Sequence, residues 1–325
     1  MHTKIVYTLV SDASDYYLEQ ALISVYSLRI YNPDTVVELV VDTLTAASLE
    51  GTRAKIKKYV THVISIEAPN GYNKMLRSRF LKTTLRQWVT GDYLFVDCDT
   101  FISRSLEEID LFHAELGLVA DLNENLPLTN EDGIQRCRQI GFTDVEGKPY
   151  FNSGVMYVKD TSLAHTFYEK WHRNWFLSTE NGVCVDQPAL CQTNMEMQYP
   201  IQELPAEWNC QFKYSYTRYL KEARILHFFS GGKPAFIQEQ TYRRIKTSGR
   251  IDSITDYAIR HPKTIVYATY AMPEDKAYEF YNSYMSYLFF CAPPVFRLLE
   301  KIGRWLVKPM LLLSKMKHCS LFYDE

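Results

Sequence analysis

Paired cysteines, glycine-rich loops and an excess of either charge are all missing from this 325-residue chain. Its seven cysteines (Cys98, Cys137, Cys184, Cys191, Cys210, Cys291 and Cys319) are odd in number and scattered, with no CxxC spacing. Neither a disulfide framework nor a zinc knuckle is indicated. Lys plus Arg total 36 against 38 Asp plus Glu, a net charge of −2, so there is no global basic field to draw nucleic acid. Glycine and proline number only 13 each, which excludes collagen-like and proline-rich disordered chains. No GxGxxG, HExxH or GxSxG occurs, which weighs against dehydrogenases, zinc proteases and serine hydrolases. No uncharged run reaches the ~20 apolar residues of a membrane span. Asp12 follows the first apolar stretch too soon for a secretory signal, and there is no Asn-x-Ser/Thr sequon. The expectation is a cytosolic protein with free thiols.

What the chain does have is 46% hydrophobic residues, 24 Tyr, 17 Phe and 5 Trp, enough for a substantial core. Its first hundred residues alternate strand and helix. Ile5–Val10, Val36–Val41, His62–Ile66 and Tyr93–Val96 read as strands. Tyr17–Ile30, Thr45–Tyr59 and Met75–Val89 read as helices. Such alternation predicts an α/β fold with a single, mainly parallel sheet flanked by helices. Further on, Leu116–Ala120, Val155–Val158 and Arg224–Phe229 read as strands, and Leu163–Phe176 and Gln187–Thr193 as helices. Ligands of open α/β sheets sit beyond the carboxyl ends of the strands, so the polar residues after Val10 and Val96 draw attention.

The sharpest signal is Asp97-Cys98-Asp99, directly after an apolar strand. Residues i and i+2 of an extended backbone share a side, so two carboxylates would face one spot. They repel unless a hard cation sits between them, and the bland alternative is a solvated turn. Phe151-Asn152-Ser153-Gly154 reads as a loop before a strand, which beside a ligand would offer an amide, a hydroxyl and a close backbone approach. Asp186-Gln187 opens a helix, where Asp186 has the ordinary reading of an N-cap. His227 is followed six residues on by Lys233, after the glycine pair Gly231-Gly232, an arrangement suited to a metal-bound diphosphate.

Taken in order, these motifs resemble glycosyltransferase family 8, from Lys4 to about Phe236. The resemblance implies a GT-A fold, a UDP-hexose donor, Mn²⁺ or Mg²⁺, and transfer with retention at the anomeric carbon. Under it, Thr8, Leu9 and Val10 hold the uracil through the backbone and Tyr17 stacks on it. Arg79 and Lys82 match a basic donor contact. Asp97, Asp99 and His227 match the metal ligands, and Lys233 the diphosphate lysine. Asp121, Asn152, Asp186 and Gln187 match positions that grip the donor sugar, with Asp186 and Gln187 in the catalytic role. Cys98 and Ser153 fall among the donor-binding positions. Ser230 stands where the family has glycine, and Phe236 lies near its usual tryptophan. The acceptor would be a glycan or lipid-linked saccharide, as in lipopolysaccharide synthesis, with Asn123–Gly147 as a polar lid. Two other readings are a sugar-nucleotide-binding protein without transfer activity and a nucleotidyltransferase. The first would have lost a metal ligand or the Asp-Gln pair, and both remain. The second expects a Gly-rich basic stretch where Ser11–Asp15 stands.

Three regions are expected: a catalytic domain over 1–245, a helical extension over 246–283 and a basic, aromatic C-terminal tail over 284–325. In the tail Arg297, Lys301, Arg304 and Lys308 recur at helical spacing, beside Phe296, Leu299, Ile302 and Leu306 with Trp305. That pattern suits either peripheral contact with an anionic inner membrane face or a helix docked on the catalytic domain.

Overall fold

The computed structural model describes residues 1–123, 131–211, 222–228 and 239–260, together with Leu298, Lys301 and Ile302. Lys233, Ser230 and Phe236 lie outside the described residues, as does the tail apart from those three, which are helical and exposed.

β1 (Lys4–Leu9), β2 (Val37–Asp42) and β3 (His62–Ile66) pair in parallel, and β4 (Tyr93–Val96) joins the other edge of β1, again in parallel. The seven-stranded sheet continues through β7 (Phe151–Val158) and β6 (Leu116–Ala120) to β8 (Ile201–Glu203), in the order β3-β2-β1-β4-β7-β6-β8. β7 runs antiparallel to both its neighbours. The fold is therefore α/β with a mostly parallel central sheet, as the alternation predicts. β1, β2 and β4 are largely apolar and buried from end to end or nearly so, as strands covered on both faces must be, with Glu38 and Asp42 of β2 buried among them. A second sheet of three short strands, β5 (Thr100–Ile102), β10 (Ile225–His227) and β9 (Cys210–Gln211), lies beyond the carboxyl end of β4.

Two apolar layers sandwich the large sheet. On one side Leu18, Leu22, Val25 and Leu28 of helix α1 (Tyr17–Tyr31) pack with Ile5, Leu39 and the small sheet's Phe101 and Leu226. On the other, Leu81 of α3 (Lys74–Thr83) packs with Phe167, Trp171 and Trp175 of α5 (Ser162–Glu180) and Leu190 of α6 (Gln187–Glu196). Helices Glu239–Ser248 and Ser253–Arg260 rest on α1. There the Tyr16 and Tyr242 rings lie 5.7 Å apart and Tyr26 Oη donates to Asp256 at 2.7 Å.

Local chemistry revises four sequence expectations. The helix expected over Thr45–Tyr59 is two pieces, α2 (Thr43–Ser48) and a 3₁₀ stretch Arg53–Lys58. Leu49 caps the first piece, its ψ of 63° leaving the helical region, and Gly51 at φ +52° turns the chain between the two. α3 stops at Thr83, because Thr83 and Thr84 turn their hydroxyls back onto the Arg79 and Phe80 carbonyls (2.8 and 2.7 Å). Asn152-Ser153-Gly154 is not a loop: β7 starts at Phe151 and runs through it. The supposed lid contains α4 (Glu131–Gln139), whose buried Ile134 and Cys137 dock with Phe142, Val145 and Tyr150 against Cys191 of α6.

Trp171 is fully buried and its indole N–H donates to the Asp186 carbonyl at 3.1 Å, tying α5 to the start of α6. Trp171→Ala is expected to cost about 3–5 kcal/mol, read as a lower urea midpoint with an unchanged slope. A loss below about 1 kcal/mol would contradict this packing.

Candidate active site

β1 and β4 both end at one face of the sheet, and the chain leaving each of them lines a cleft of about 550 Å³. Thr8, Leu9 and Val10 form its wall at β1, and Asp97, Cys98 and Asp99 its floor at β4. β7, antiparallel, brings its first residues to the same place. The Asp97 N–H donates to the Gly154 carbonyl at 2.8 Å. β7 also bulges there, its pairing with β6 jumping from Leu118↔Met156 to Val119↔Asn152. Ser153 and Gly154 fall within the irregularity, between paired Asn152 and Met156, and Asn152, Ser153 and Gly154 all line the cleft wall. α3 adds Met75, Ser78, Arg79 and Lys82, α1 adds Tyr17 and Gln20, and α6 opens with Asp186 and Gln187.

Asp97 and Asp99 flank a turn and are not on an extended strand, yet they converge as the spacing suggests. With His227, at the end of β10, they bring one ligand atom each to within 4.8 Å of one another. His227 Nε2 lies 3.3 Å from Asp99 Oδ1. His227 arrives because β10 pairs with β5 just after Asp99, with His227 opposite Thr100. Gly154 makes room for the ring: a Cβ there would stand 2.2 Å from His227 Cε1.

Behind the floor lies a buried charge cluster. Lys82, only 2% exposed, reaches Asp97 at 3.3 Å, Ser153 Oγ at 3.1 Å and Asp186 Oδ2 at 3.5 Å. Its ammonium also lies 4.9 Å from the centre of the Phe95 ring. Arg79 Nε meets Asp186 Oδ1 at 2.8 Å, and Ser153 donates to Asp186 Oδ2 at 2.6 Å. Burial pushes the Asp186 carboxyl up, but Lys82, Arg79 and the Ser153 hydrogen bond together outweigh it and hold the group well below the usual carboxylate range. Asp186 therefore makes no side-chain cap for α6, contrary to the expectation from its position. For Asp97 burial prevails over Lys82 and His227 and raises the carboxyl. Burial likewise raises Asp121, against hydrogen bonds from Asn152 (3.1 Å) and Gln187 (3.0 Å). Cys98 donates to the Thr8 carbonyl at 3.2 Å, and burial beside Asp97 and Asp99 keeps it a thiol.

Every expected site residue among those described lines this cleft except Asp121, which joins it through Asn152 and Gln187. Sequence reasoning passed over Gln20, Lys74, Met75, Ser78 and Asn209. The helical spacing of Met75, Ser78, Arg79 and Lys82 carries a signal for that face of α3; nothing local marks Asn209.

The fold is of the GT-A type, and the family model makes the chain a glycosyltransferase. The chain belongs to glycosyl transferase family 8, whose model matches residues 8–234. It is similar to galactosyltransferase LgtC in complex with donor and acceptor sugar analogues, at 16% identity and a TM-score of 0.50, over 77% of this chain and 98% of that one. An active-site mutant of LgtC gives 15% and 0.51 over the same shares. Mouse xyloside xylosyltransferase 1, in its apo form, gives 18% and 0.48 over 71% of this chain and 99% of that one. At these identities the likeness is one of fold. No curated protein sequence matches the chain.

Lys82→Met strands Asp97 and Asp186 without their shared ammonium and is expected to destabilise the fold by about 3–5 kcal/mol at neutral pH. Losing Lys82 raises the Asp186 pKa in the folded state, so the deficit is full where both carboxylates are ionised. It narrows as acid protonates them. Urea titrations at pH 7 and near pH 4 measure it; a deficit that does not change with pH would contradict the pairing.

Proposed function

We propose that the chain transfers a hexose from a UDP-sugar to a glycan or lipid-linked saccharide, retaining the anomeric configuration and requiring a divalent cation. The observation carrying this reading is the convergence of Asp97, Asp99 and His227 beside Asp186 and Gln187 at the carboxyl end of the sheet. The charge balance fits a cation. Asp97, Asp99 and Asp186 converge there with Arg79 and Lys82 beside them, a gathering of carboxylates that a divalent ion suits. Two carboxylates and an imidazole are a donor set for Mn²⁺, with Mg²⁺ as the harder alternative. Such an ion, held by Asp97, Asp99 and His227, would neutralise charge on the diphosphate as the glycosyl–oxygen bond breaks.

The protein's own groups account for the remainder. Thr8, Leu9 and Val10 offer backbone groups to the uracil, with Tyr17 as the stacking ring and Cys98 and Ser153 beside the donor. Lys233 is assigned to the diphosphate from its place in the sequence. Asp186 has both oxygens engaged by Arg79, Ser153 and Lys82, so it acts as a fixed negative charge beside the cationic sugar and is poorly placed to attack it. Gln187 donates its Nε2 to Asp121 and to the Phe151 carbonyl, which leaves Oε1 to meet the sugar. Same-face displacement then sets the acceptor hydroxyl next to the departing phosphate oxygen. That oxygen takes the hydroxyl proton as the new glycosidic bond forms.

We assign residues 1–245 to catalysis, 246–283 to a helical extension and 284–325 to peripheral membrane contact on the cytoplasmic face. The helical spacing of basic and aromatic residues supports the last assignment. No helix among the described residues is long and apolar enough to cross a membrane.

Asp99→Asn should abolish Mn²⁺-dependent UDP binding by calorimetry, and turnover with it, while the thermal midpoint moves by only a few degrees. Full activity in EDTA or in this variant would sink the cation-dependent reading. Gln187→Ala should keep UDP affinity within about threefold and lose transfer by roughly a hundredfold or more; a parallel fall in both would reassign it to nucleotide binding. For the tail, flotation with anionic liposomes should retain the full chain and release residues 1–283. Equal behaviour of the two would make the tail structural.

A further inference from the structure

A chain of buried amides runs behind the His227 imidazole, away from the cleft. It begins at a donor that cannot be reversed: the Gly154 backbone N–H, which donates to Asn152 Oδ1 at 2.9 Å. That makes Oδ1 the acceptor end of Asn152. Its Nδ2 accordingly points to Asp121 Oδ1 at 3.1 Å, so both ends of the amide agree on one orientation. The same Asn152 Oδ1 receives Asn209 Nδ2 at 2.8 Å. Asn209 is therefore oriented in turn, and its Oδ1 faces His227 Nδ1 at 3.0 Å. An amide oxygen only accepts, so in the neutral imidazole the proton belongs on Nδ1. Nε2, on the side of Asp97 and Asp99, carries the lone pair.

We propose that Asn209 is a positioning residue that fixes the His227 tautomer and thereby presents Nε2 as a cation ligand. The proposal rests on the reading of Asp97, Asp99 and His227 as a divalent-cation site. The three side chains of the relay are 2%, 0% and 3% exposed for Asn152, Asn209 and His227, so water does not compete for these bonds. Asn209 itself is held from both sides. It closes the 3₁₀ turn Ala206–Asn209, and its carbonyl accepts from Asn123 Nδ2 at 2.9 Å. β9, which follows it directly, pairs in parallel with β10, so the amide stands beside the ring from the neighbouring strand. Partners of this kind behind a ligating histidine set ring orientation and tautomer, and their loss costs roughly 10–100-fold in metal affinity.

Two measurements test this on the full chain. Long-range ¹H–¹⁵N correlation of the His227 ring, recorded without metal at a pH where the imidazole is neutral, should show the Nδ1–H tautomer in the wild type and a mixture in Asn209→Leu. Titration of Mn²⁺ alone, followed by the EPR signal of the free ion, should show binding weakened roughly 10–100-fold in Asn209→Leu. Where leucine is not accommodated, Asn209→Ala removes the same acceptor, and the wild-type spectrum stands as a test by itself. An Nε2–H tautomer in the wild type, or equal Mn²⁺ affinity in wild type and variant, overturns the role of Asn209 and leaves the cation site standing. A wild-type protein that binds no Mn²⁺ overturns the cation site as well.

Discussion

Like charges gathered where water is scarce set the terms for this cleft. Asp97 and Asp99 sit on one short turn, and Asp186 and Asp121 approach the same space from α6 and the end of β6. Such a group is tolerable only with its counter-charges built in. Lys82 supplies one by spanning Asp97 and Asp186 from inside the protein, and Arg79 supplies the other. The divided outcome of Asp97 raised and Asp186 depressed follows from this sharing, since Asp186 has two cationic neighbours and a hydroxyl while Asp97 is less fully compensated.

Much of this arrangement was legible in the order of residues, because it depends on where strands end. An apolar run followed by polar residues announces the carboxyl edge of a buried strand, and Val96-Asp97 and the Ile225–His227 strand obey that rule. Less legible were features decided by tertiary contact. The bulge that carries Asn152, Ser153 and Gly154 through β7 exists because of how β6 pairs with it, and a Asn-Ser-Gly triplet alone reads as a turn. Asp186 occupies a capping position, yet two buried cations claim its carboxylate. Asn209 has no local signature at all, since its partners are 57 residues away at Asn152 and 18 at His227. Sequence patterns report periodicity and punctuation, and a buried polar relay is neither.

The two sheets meet at the candidate cation site. Asp97 continues from the large sheet, whereas Asp99 leads into β5 and His227 ends β10, both in the small one. An ion bound there would bridge the sheets and add its binding free energy to their union.

The antiparallel pairing of β10 with β5 has a consequence for the chain as it is made. His227 leaves the ribosome about 130 residues after Asp99, a delay of roughly 6–25 s at ordinary synthesis rates of about 5–20 residues per second. Through that interval the nascent polypeptide holds the β1–β4 segment yet lacks the strand that carries His227. Its two aspartates emerge as an unfinished acidic turn, and the Asp97, Asp99 and His227 cluster cannot assemble until nearly all of the family-matched span, residues 8–234, has been translated.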